Sequence, residues 1–254
     1  MAASVPGRAF FCCALAMLPG CGKQPLDAVQ LDPDSIESGL IAHYTFDEGA
    51  GTAMVDHSGN KRDGVIMGSQ WLEDGVFGGA IHFSGTETDY ATVAEFPNAS
   101  ANYSVSIWTR ASFAAQDEDS GTLLSTEVPF AGGWELSLNR FTNGIGVHAG
   151  YWDTVTMTYV FWECVCLPEG RWTHVAFVRD STAQMLTVYV DGSPVGEVSA
   201  PNPISPGEAQ LFVGRWQGDA RYLAADLDDV AIYSRALAPA EIAELGTRPA
   251  PEQQ

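Results

Sequence analysis

The stretch Arg171-Trp-Thr-His-Val-Ala-Phe-Val-Arg-Asp180 decides the fold class, together with Leu186-Thr-Val-Tyr-Val-Asp-Gly192 and Asp226-Leu-Asp-Asp-Val-Ala-Ile-Tyr-Ser-Arg235. Each segment is short, rich in β-branched and aromatic residues and closed by turn residues, which is typical of strands in antiparallel sheets. Asp191-Gly192 predicts a hairpin, because glycine tolerates the positive φ that a tight turn demands. About a dozen such segments follow one another along the chain. The sequence therefore predicts an all-β sandwich.

The Asp226 segment also predicts an irregular strand. Its apolar residues Leu227, Val230 and Ile232 are spaced by three positions and then by two, which a regular strand cannot keep on one face. A bulge at Asp228-Asp229 would restore the alternation. Bulges often re-aim side chains beside functional sites, so this acidic pair is a candidate site as well as a solvated edge.

One short helix is expected near the C-terminus, from Ala238 to Leu245. Pro239 suits the first turn of a helix, and Gly246 lies just past the expected end. The apolar residues Ile242 and Leu245 are expected to pack on the sandwich.

An ordered series of motifs runs through the chain: Tyr44-Thr-Phe-Asp-Glu-Gly49, Asp56-His-Ser-Gly-Asn60, Ala80-Ile-His-Phe-Ser-Gly85, Ser104-Val-Ser-Ile-Trp108, Trp172-Thr-His-Val-Ala176, Tyr189-Val-Asp-Gly192 and Asp228-Asp-Val-Ala-Ile-Tyr-Ser-Arg-Ala-Leu237. Together they resemble the bacterial LamG-like jellyroll family of the concanavalin A-like lectin/glucanase superfamily. The resemblance implies two packed antiparallel sheets in a jelly roll, frequently a bound calcium ion, and binding of carbohydrate or protein at cell surfaces. It does not imply one ligand, because such a fold hosts many unrelated functions.

The chain is expected to contain four segments: a signal peptide over 1–20, a flexible tether over 21–38, the jellyroll domain over 39–246 and a disordered tail over 247–254. An apolar run follows Arg8 and ends in Leu18-Pro-Gly-Cys21, which resembles a lipobox. Cys21 would then be the first mature residue and carry lipid, at the outer membrane or cell surface; ordinary cleavage and a secreted or periplasmic protein are the alternative. The apolar run is about half of the roughly 20 residues that span a bilayer, so no transmembrane helix is expected.

The composition argues against nucleic acid as a partner. Lysine and arginine number 12 against 32 aspartates and glutamates, for a net charge of −20. Attraction to phosphates would be opposed by this field. The acidity is expected to serve solubility, with affinity for calcium as a secondary benefit.

Two cysteines fall inside the expected domain, Cys164 and Cys166. On a regular strand, residues two apart lie about 6.5 to 7 Å from each other, at or beyond the usual Cα separation of a disulfide. A bridge would therefore require a turn or bulge, and a bridged pair and two reduced thiols both remain open. The pair offers too few ligands for zinc.

The metal hypothesis rests on four aspartates, Asp47, Asp226, Asp228 and Asp229. Calcium takes carboxylate and carbonyl oxygens from irregular chain, and strands from opposite ends of a sequence can meet in a sandwich to supply them. The family resemblance implies such a site between the first and last strands. The alternative is that these residues cap turns or pair with Arg215, Arg221 or Arg235. The Asp56-His-Ser-Gly-Asn60 motif could also hold metal, but its composition favours a tight turn.

Aromatic residues in loops and at strand ends are the candidate ligand contacts. Sugar rings stack on such side chains while neighbouring polar groups bond the hydroxyls. Most tryptophans are core or rim residues, and Trp108 and Trp172 lie inside strand motifs and are expected to be structural. The candidates for ligand binding are Tyr151, Trp152, Trp162, Trp216 and Tyr222.

No catalytic residues are predicted. A retaining glycosidase needs two carboxyls about 5 Å apart, and sheet-borne glucanases supply them as Glu-x-Asp-x-x-Glu, a spacing that does not occur in this sequence. His174 is expected to be a packed, hydrogen-bonded residue. The sequence and the resemblance together predict a non-catalytic, monomeric module that contacts the membrane through its lipid anchor alone and binds glycan, with a calcium-stabilised fold. A protein-binding adhesion domain is the alternative, and a glycosidase the least favoured one.

Overall fold

The computed structural model describes residues 36–98, 101–111, 120–205, 207–218 and 221–247. All of them belong to one unit, which spans residues 33–254. The predicted signal peptide, the lipidation site Cys21 and most of the tether and tail lie outside the described residues. No helix in the described ranges is long and apolar enough to cross a membrane.

The described residues contain sixteen strands. The first eight are β1 (Leu40–Tyr44), β2 (Ala53–Met54), β3 (Gly64–Met67), β4 (Gln70–Leu72), β5 (Ala80–Ser84), β6 (Tyr90–Asn98), β7 (Tyr103–Ala111) and β8 (Ser120–Ser125). The others are β9 (Trp134–Phe141), β10 (Gly144–Asp153), β11 (Thr158–Leu167), β12 (Thr173–Asp180), β13 (Met185–Val190), β14 (Ser193–Ser199), β15 (Gly207–Val213) and β16 (Ala224–Tyr233).

The strands form two eight-stranded antiparallel sheets. The first has the order β14-β13-β12-β7-β16-β5-β4, with β1 also paired to β16. The second has the order β11-β10-β9-β8-β15-β6-β3-β2. The predicted two-sheet antiparallel sandwich is confirmed. More strands are present than the sequence predicts, because pieces as short as the two residues of β2 carry no readable alternation.

The core lies between the two sheets, where aromatic residues from both sides meet. Trp134 of β9 is fully buried, and its ring centroid lies 5.1 Å from that of Tyr103 in β7 and 5.6 Å from that of Phe177 in β12. Burying one large apolar side chain contributes about 1.5–3 kcal/mol, so these contacts hold the second sheet firmly on the first.

The hairpin and the bulge that the sequence predicts are both present. Asp191 and Gly192 separate β13 from β14 and have positive φ angles of 47° and 73°, as a two-residue hairpin of the primed type requires. The pairing of β16 with β7 shifts register between Asp228 and Ala231, and Asp229 has a φ of 46°. The bulge lets Leu227 and Val230 both point into the core.

The predicted helix is α1 (Pro239–Thr247), which packs on the first sheet. Ile242 and Leu245 are buried in a cluster with residues of β12 and β16, as predicted. The helix extends past the expected end at Leu245 and includes Gly246, which meets the β13–β14 hairpin: a Cβ added to Gly246 would lie 2.4 Å from the Gly192 nitrogen. Glycine is therefore needed there for close approach rather than for helix termination.

The cysteine pair lies on β11 next to a second irregularity. Register with β10 shifts between Ile145 and Gly146, opposite the cysteines. The Cα separation of Cys164 and Cys166 is 5.4 Å, within disulfide range, and the two sulfur atoms lie at bonding distance. The bulge that a bridge would require is present, so the structure favours the bridged alternative.

Candidate functional site

A cavity of about 330 Å³ opens on the outer face of the second sheet. Strands β9, β10 and β11 contribute Glu135, His148, Trp152 and Tyr159 to its lining. The connections before β9 and before β16 contribute Glu127, Phe130, Trp216 and Arg221. It is named here the Trp152 cavity. It brings together aromatic rings, carboxylates and one guanidinium from segments that are far apart in the sequence.

Strand alternation explains which side chains reach the Trp152 cavity. In β9, Trp134 and Leu136 belong to the core, so Glu135 between them points outward. In β10, Tyr151 belongs to the core and Trp152 lines the cavity. The outward residues of these two strands therefore form one polar and aromatic surface.

Gly150 leaves room on this surface. In the register of the sheet it pairs with Glu135 of β9 and with Phe161 of β11. A Cβ on Gly150 would lie 2.6 Å from the Val160 carbonyl oxygen, which is too close for any other residue without a backbone shift. The missing side chain keeps β10 and β11 close and leaves space between Glu135 and Phe161.

The aromatic rings around the cavity are packed against one another. Phe130 meets Trp152 edge to face, with 5.2 Å between ring centroids. His148 stacks on Tyr159 at 5.7 Å and on Phe161 at 5.0 Å. Such contacts contribute about 0.5–1.5 kcal/mol beyond burial, so they fix the ring positions before any ligand arrives.

Two buried glutamates form the polar part of the cavity. Glu127 and Glu135 are 6% and 2% exposed. Glu135 Oε1 lies 2.6 Å from Arg221 Nη1, while Glu127 Oε2 accepts a hydrogen bond of 3.2 Å from the Tyr159 hydroxyl. Burial, reinforced by the charge and hydrogen bonding of Glu135, raises the pKa of Glu127 to about 7. Glu127 can therefore accept or hold a proton near neutral pH.

Two indole nitrogens at the cavity wall, Trp152 Nε1 and Trp216 Nε1, are buried without a hydrogen-bond partner within the described part of the chain, and His148 Nδ1 lies 3.7 Å from Glu163 Oε2. Burial lowers the pKa of His148, so its imidazole is neutral at pH 7. A buried polar group without a partner costs free energy, and a ligand hydroxyl or a water molecule would remove that cost.

Two of the five predicted ligand residues lie in the same cavity and three do not. Trp152 and Trp216 line the Trp152 cavity. Tyr151 is fully buried and donates to the Asn202 carbonyl, and Trp162 packs against the core beside Gly196, because both residues occupy inward positions of their strands. Neither residue lines the Trp152 cavity: Tyr151 is a core residue, and Trp162 is partly buried against the core. Tyr222 lies next to the cavity residue Arg221 and its ring faces Arg215 at 5.8 Å.

Seven cavity residues were not predicted from the sequence: Glu127, Pro129, Phe130, Glu135, His148, Tyr159 and Arg221. The alternation of apolar and polar residues could have identified Glu135 as an outward residue, since it stands between Trp134 and Leu136. Glu127, Phe130 and Arg221 stand in connections, where the chain path and not the local pattern decides the neighbours.

The predicted metal residues do not form one cluster. Among the described residues, no group of three or more Asp, Glu, His or Cys side chains is placed to hold a metal ion. Asp226 lies 2.6 Å from His82 and 2.7 Å from Arg110, and Asp229 lies 2.6 Å from His43. Asp226 therefore pairs with the Arg110 guanidinium and Asp229 contacts His43, so pairing with an arginine, the alternative kept open, holds for Asp226, with a different arginine from those expected.

Asp47 and Asp228 meet at the turn between β4 and β5. Asp47 Oδ1 accepts from the Gly79 nitrogen at 2.7 Å, and Asp228 Oδ2 accepts from the nitrogens of Val76 and Phe77 at 2.6 and 2.9 Å. Asp228 Oδ1 is buried and has no hydrogen-bond partner in the described ranges, and burial raises the pKa of Asp228 to about 6. Two carboxylates are fewer than the six to eight oxygens that calcium takes, so calcium at Asp47 and Asp228 stays a prediction.

The Asp56-His-Ser-Gly-Asn60 motif forms a turn, as its composition predicts. Asp56 Oδ1 accepts from the backbone nitrogens of Ser58 and His43, at 2.9 and 3.0 Å. Burial alone would raise the pKa of Asp56, but hydrogen bonds to its carboxylate outweigh burial and lower it. The carboxylate is satisfied by the chain itself.

Solved structures with the same fold share little sequence with this chain. The binding domain of Paraclostridial Mosquitocidal Protein 1 is 18% identical with a TM-score of 0.66, covering 83% of this chain and 52% of that one. The botulinum neurotoxin serotype D binding domain is 18% identical with a TM-score of 0.65, covering 84% and 52%. The serotype D ligand binding domain in complex with N-acetylneuraminic acid is 19% identical with a TM-score of 0.66, covering 84% and 52%. The chain spans about half the length of these structures, and the likeness shows the fold.

The sequence itself identifies the family. A comparison with curated proteins gives no match. The family model Laminin_G_3, of the concanavalin A-like lectin/glucanases superfamily, matches residues 84–243, which is more than half of the chain and includes β7 to β16. With both sheets in place and this match across them, the chain belongs to the Laminin_G_3 family of the concanavalin A-like lectin/glucanases superfamily.

Proposed function

We propose that this protein is a non-catalytic binding module that holds a glycan in the Trp152 cavity. The observation that carries the proposal is the convergence of Trp152, Trp216 and Tyr159 with the buried carboxylates of Glu127 and Glu135 in one opening. A ligand pocket with this composition offers ring faces for the apolar side of a sugar and charged oxygens for its hydroxyls.

The fold relatives support the proposal without identifying a ligand. These relatives are binding domains, and one of them was solved in complex with N-acetylneuraminic acid. The unpartnered indole nitrogens of Trp152 and Trp216 support it further, because the hydroxyls of a sugar could accept hydrogen bonds from groups that the described chain leaves unsatisfied.

We favour binding over catalysis because the Glu-x-Asp-x-x-Glu spacing of sheet-borne glucanases does not occur in the sequence. Glycosidases hold their two carboxyls about 5 Å or more apart, so that a substrate atom or a water molecule fits between them. The charge of Glu135 helps to raise the pKa of Glu127, so the two carboxyls are close neighbours in the cavity. Glu135 is also held by Arg221 and by the Ser137 hydroxyl, which fix its position in the cavity.

The test is a glycan array probed with the wild-type protein and with Trp152→Ala. Loss of a stacked ring worth about 1.4 kcal/mol lowers affinity by about tenfold, so we expect the wild-type signals to fall by at least about that factor. Trp172→Ala is the matched control, since Trp172 stacks on Arg110 at the first sheet and should leave binding unchanged. Equal binding by wild type and Trp152→Ala would remove the cavity from the function.

A protein partner is the second candidate, favoured by apolar residues exposed near the cavity. Phe130 is 73% exposed and Phe161 44%, and Val155 and Met157 in the β10–β11 turn are 69% and 60% exposed. Exposed apolar patches mark interaction surfaces. This candidate would be favoured if the glycan array gave no signal and a protein partner were captured by the wild type. Capture should then be lost in the double variant Val155→Ser, Met157→Ser, which removes the exposed apolar side chains of the β10–β11 turn.

Export and anchoring complete the proposal. A lipid on Cys21 would hold the module at a membrane surface without a spanning segment, as a monomer at the end of a tether. The corresponding test is fractionation of cells that express the wild type or Cys21→Ser. Movement of the variant from the membrane to the soluble fraction supports the anchor, and unchanged fractionation contradicts it.

A further inference from the structure

The Trp152 cavity holds more negative than positive charge. Arg221 lies 2.6 Å from Glu135, so these two groups balance each other. The same guanidinium does not compensate Glu127, because burial and the charge of Glu135 raise the pKa of Glu127 despite Arg221. An ionised Glu127 therefore lacks compensation inside the cavity, and one additional cation would restore the balance.

The other titratable groups facing Glu127 do not supply that cation. His148 is neutral because burial lowers its pKa. Burial raises the pKa of Tyr159 well above its usual value, so its hydroxyl stays protonated and donates to Glu127. The cation must come with the ligand.

The aromatic walls suit a cation as well. The guanidinium of Arg221 already lies over the ring of Trp216, 4.0 Å from its centroid. Trp152, Phe130 and Tyr159 offer further rings in the same cavity. Such desolvated ring faces attract a cation through their quadrupole, and the nearby carboxylate adds an ionic hydrogen bond.

Resting on the glycan-binding function proposed above, we infer that the Trp152 cavity selects a sugar that carries a positively charged amine, with the Glu127 carboxylate as its ionic partner. The amine lies between Glu127 and the aromatic walls, and the ring carbons pack on Trp152. Acidic sugars are disfavoured, because their carboxylate would face two glutamates in a protein of net charge −20.

Three matched β-1,4-linked tetrasaccharides test the inference. They are built from glucosamine, N-acetylglucosamine and glucose, and differ at carbon 2 in carrying an ammonium, an acetamide or a hydroxyl. Calorimetric titration of the full-length protein at pH 7 is expected to give an affinity for the glucosamine tetramer at least about tenfold above the other two, the factor that about 1.4 kcal/mol of charge-assisted bonding supplies.

Variants assign the preference to Glu127. Glu127→Gln keeps the shape of the side chain but cannot ionise, and should bring the three affinities to within about threefold, a difference below about 1 kcal/mol. Glu197→Gln removes a charge from an exposed position of β14 in the first sheet and should keep the tenfold preference. A melting curve for each variant verifies that it is folded.

The outcomes separate this inference from the proposed function. Glycan-array binding with equal or tighter affinity for the acetamide or hydroxyl tetramer overturns the amine preference and leaves glycan binding in place. A preference that survives in Glu127→Gln overturns the role of Glu127. No binding to any tetramer overturns the inference, and no binding on the array as well overturns glycan binding itself.

Discussion

His174 shows how burial sets the pH dependence of stability in this protein. The residue is fully buried in β12, and its Nε2 contacts the Ser106 hydroxyl at 2.8 Å. Burial lowers the pKa of His174 to about 4, against the opposing charges of Asp229 and Asp191. It is a packed, hydrogen-bonded histidine, as the sequence predicts.

The first prediction concerns the effect of acid on this residue. The unfolded chain binds a proton on His174 below about pH 6.5 while the folded chain stays neutral down to about pH 4, so stability is lost as the pH falls across that window. The loss reaches about 3 kcal/mol at pH 4. Urea unfolding at pH 7, 6, 5 and 4 should show a shallower decline for His174→Asn than for the wild type. The exposed His57→Asn is the control, and parallel curves for all three proteins would contradict the assignment.

The pKa shift of Glu127 changes the stability with pH in the direction opposite to that of His174. The pKa of Glu127 is raised to about 7, so the stability that its protonated form contributes is present at pH 4 and is lost as the pH rises through 7. We predict that Glu127→Gln melts above the wild type at pH 8 and close to it at pH 5. A gain of about 1 kcal/mol corresponds to roughly 2–4 °C in a domain of this size, which thermal unfolding at the two pH values resolves.

A lower melting temperature of Glu127→Gln at pH 8 would refute this explanation. If the prediction holds, the natural residue reduces stability at its own position. Stability that a protein gives up at a pocket residue is characteristic of functional sites, which connects this measurement to the binding proposed for the Trp152 cavity.

At the scale of elements, α1 depends on one glutamate. Glu241 Oε2 accepts from the Ala238 nitrogen at 2.7 Å, reaching back over the first turn as the third residue of a capping box does. The same carboxylate pairs with the Arg235 guanidinium through both oxygens, at 2.6 and 2.8 Å. The hydrogen bonds from Arg235 are the main cause that lowers the pKa of Glu241.

We predict that Glu241→Ala lowers the free energy of unfolding by about 1–2 kcal/mol, the range for losing a helix cap together with a paired charge. Denaturant titration at pH 7 measures it. Glu244→Ala lies one turn on in the same helix, where no hydrogen bond to its side chain is seen in the described structure, and should change stability by less than about 0.5 kcal/mol. Equal losses in the two variants would show that helix propensity and not the cap is responsible.

The elements also show what the sequence could and could not predict. Strand β9 can be predicted from the sequence because Trp134, Leu136 and Leu138 alternate with polar residues. The bulge in β16 can be predicted because the alternation of apolar and polar residues fails in that strand. The Trp152 cavity cannot be predicted from the sequence, because Glu127 and Arg221 lie in connections whose path depends on the assembled sheets. Local pattern determines which face a strand residue occupies, whereas contacts between connections are set by the tertiary fold.

At the scale of the whole molecule, the first sheet brings together the first and the last strand of the described chain. Strand β1 pairs with β16, and the Asp47 and Asp228 carboxylates, one from each end of the sequence, both accept hydrogen bonds from the turn between β4 and β5. The protein also carries a net charge of −20, so a cation bound at this junction would relieve repulsion as well as satisfy Asp228 Oδ1.

Calcium at Asp47 and Asp228 is the last prediction, and it concerns the stability of the whole fold. An ion that binds the folded state alone at about 100 times its dissociation constant adds about 2.7 kcal/mol, or roughly 5–10 °C in Tm for a domain of this size. We expect calcium to raise the Tm of the chelator-treated protein by such an amount, measured by thermal unfolding at constant ionic strength, with magnesium as the control ion. Asp228→Asn should abolish the shift, whereas Asp226→Asn should keep it, because Asp226 is engaged by His82 and Arg110. An unchanged Tm in excess chelator and in added calcium would rule out a stabilising calcium ion, and a shift lost in Asp226→Asn instead would place the ion elsewhere.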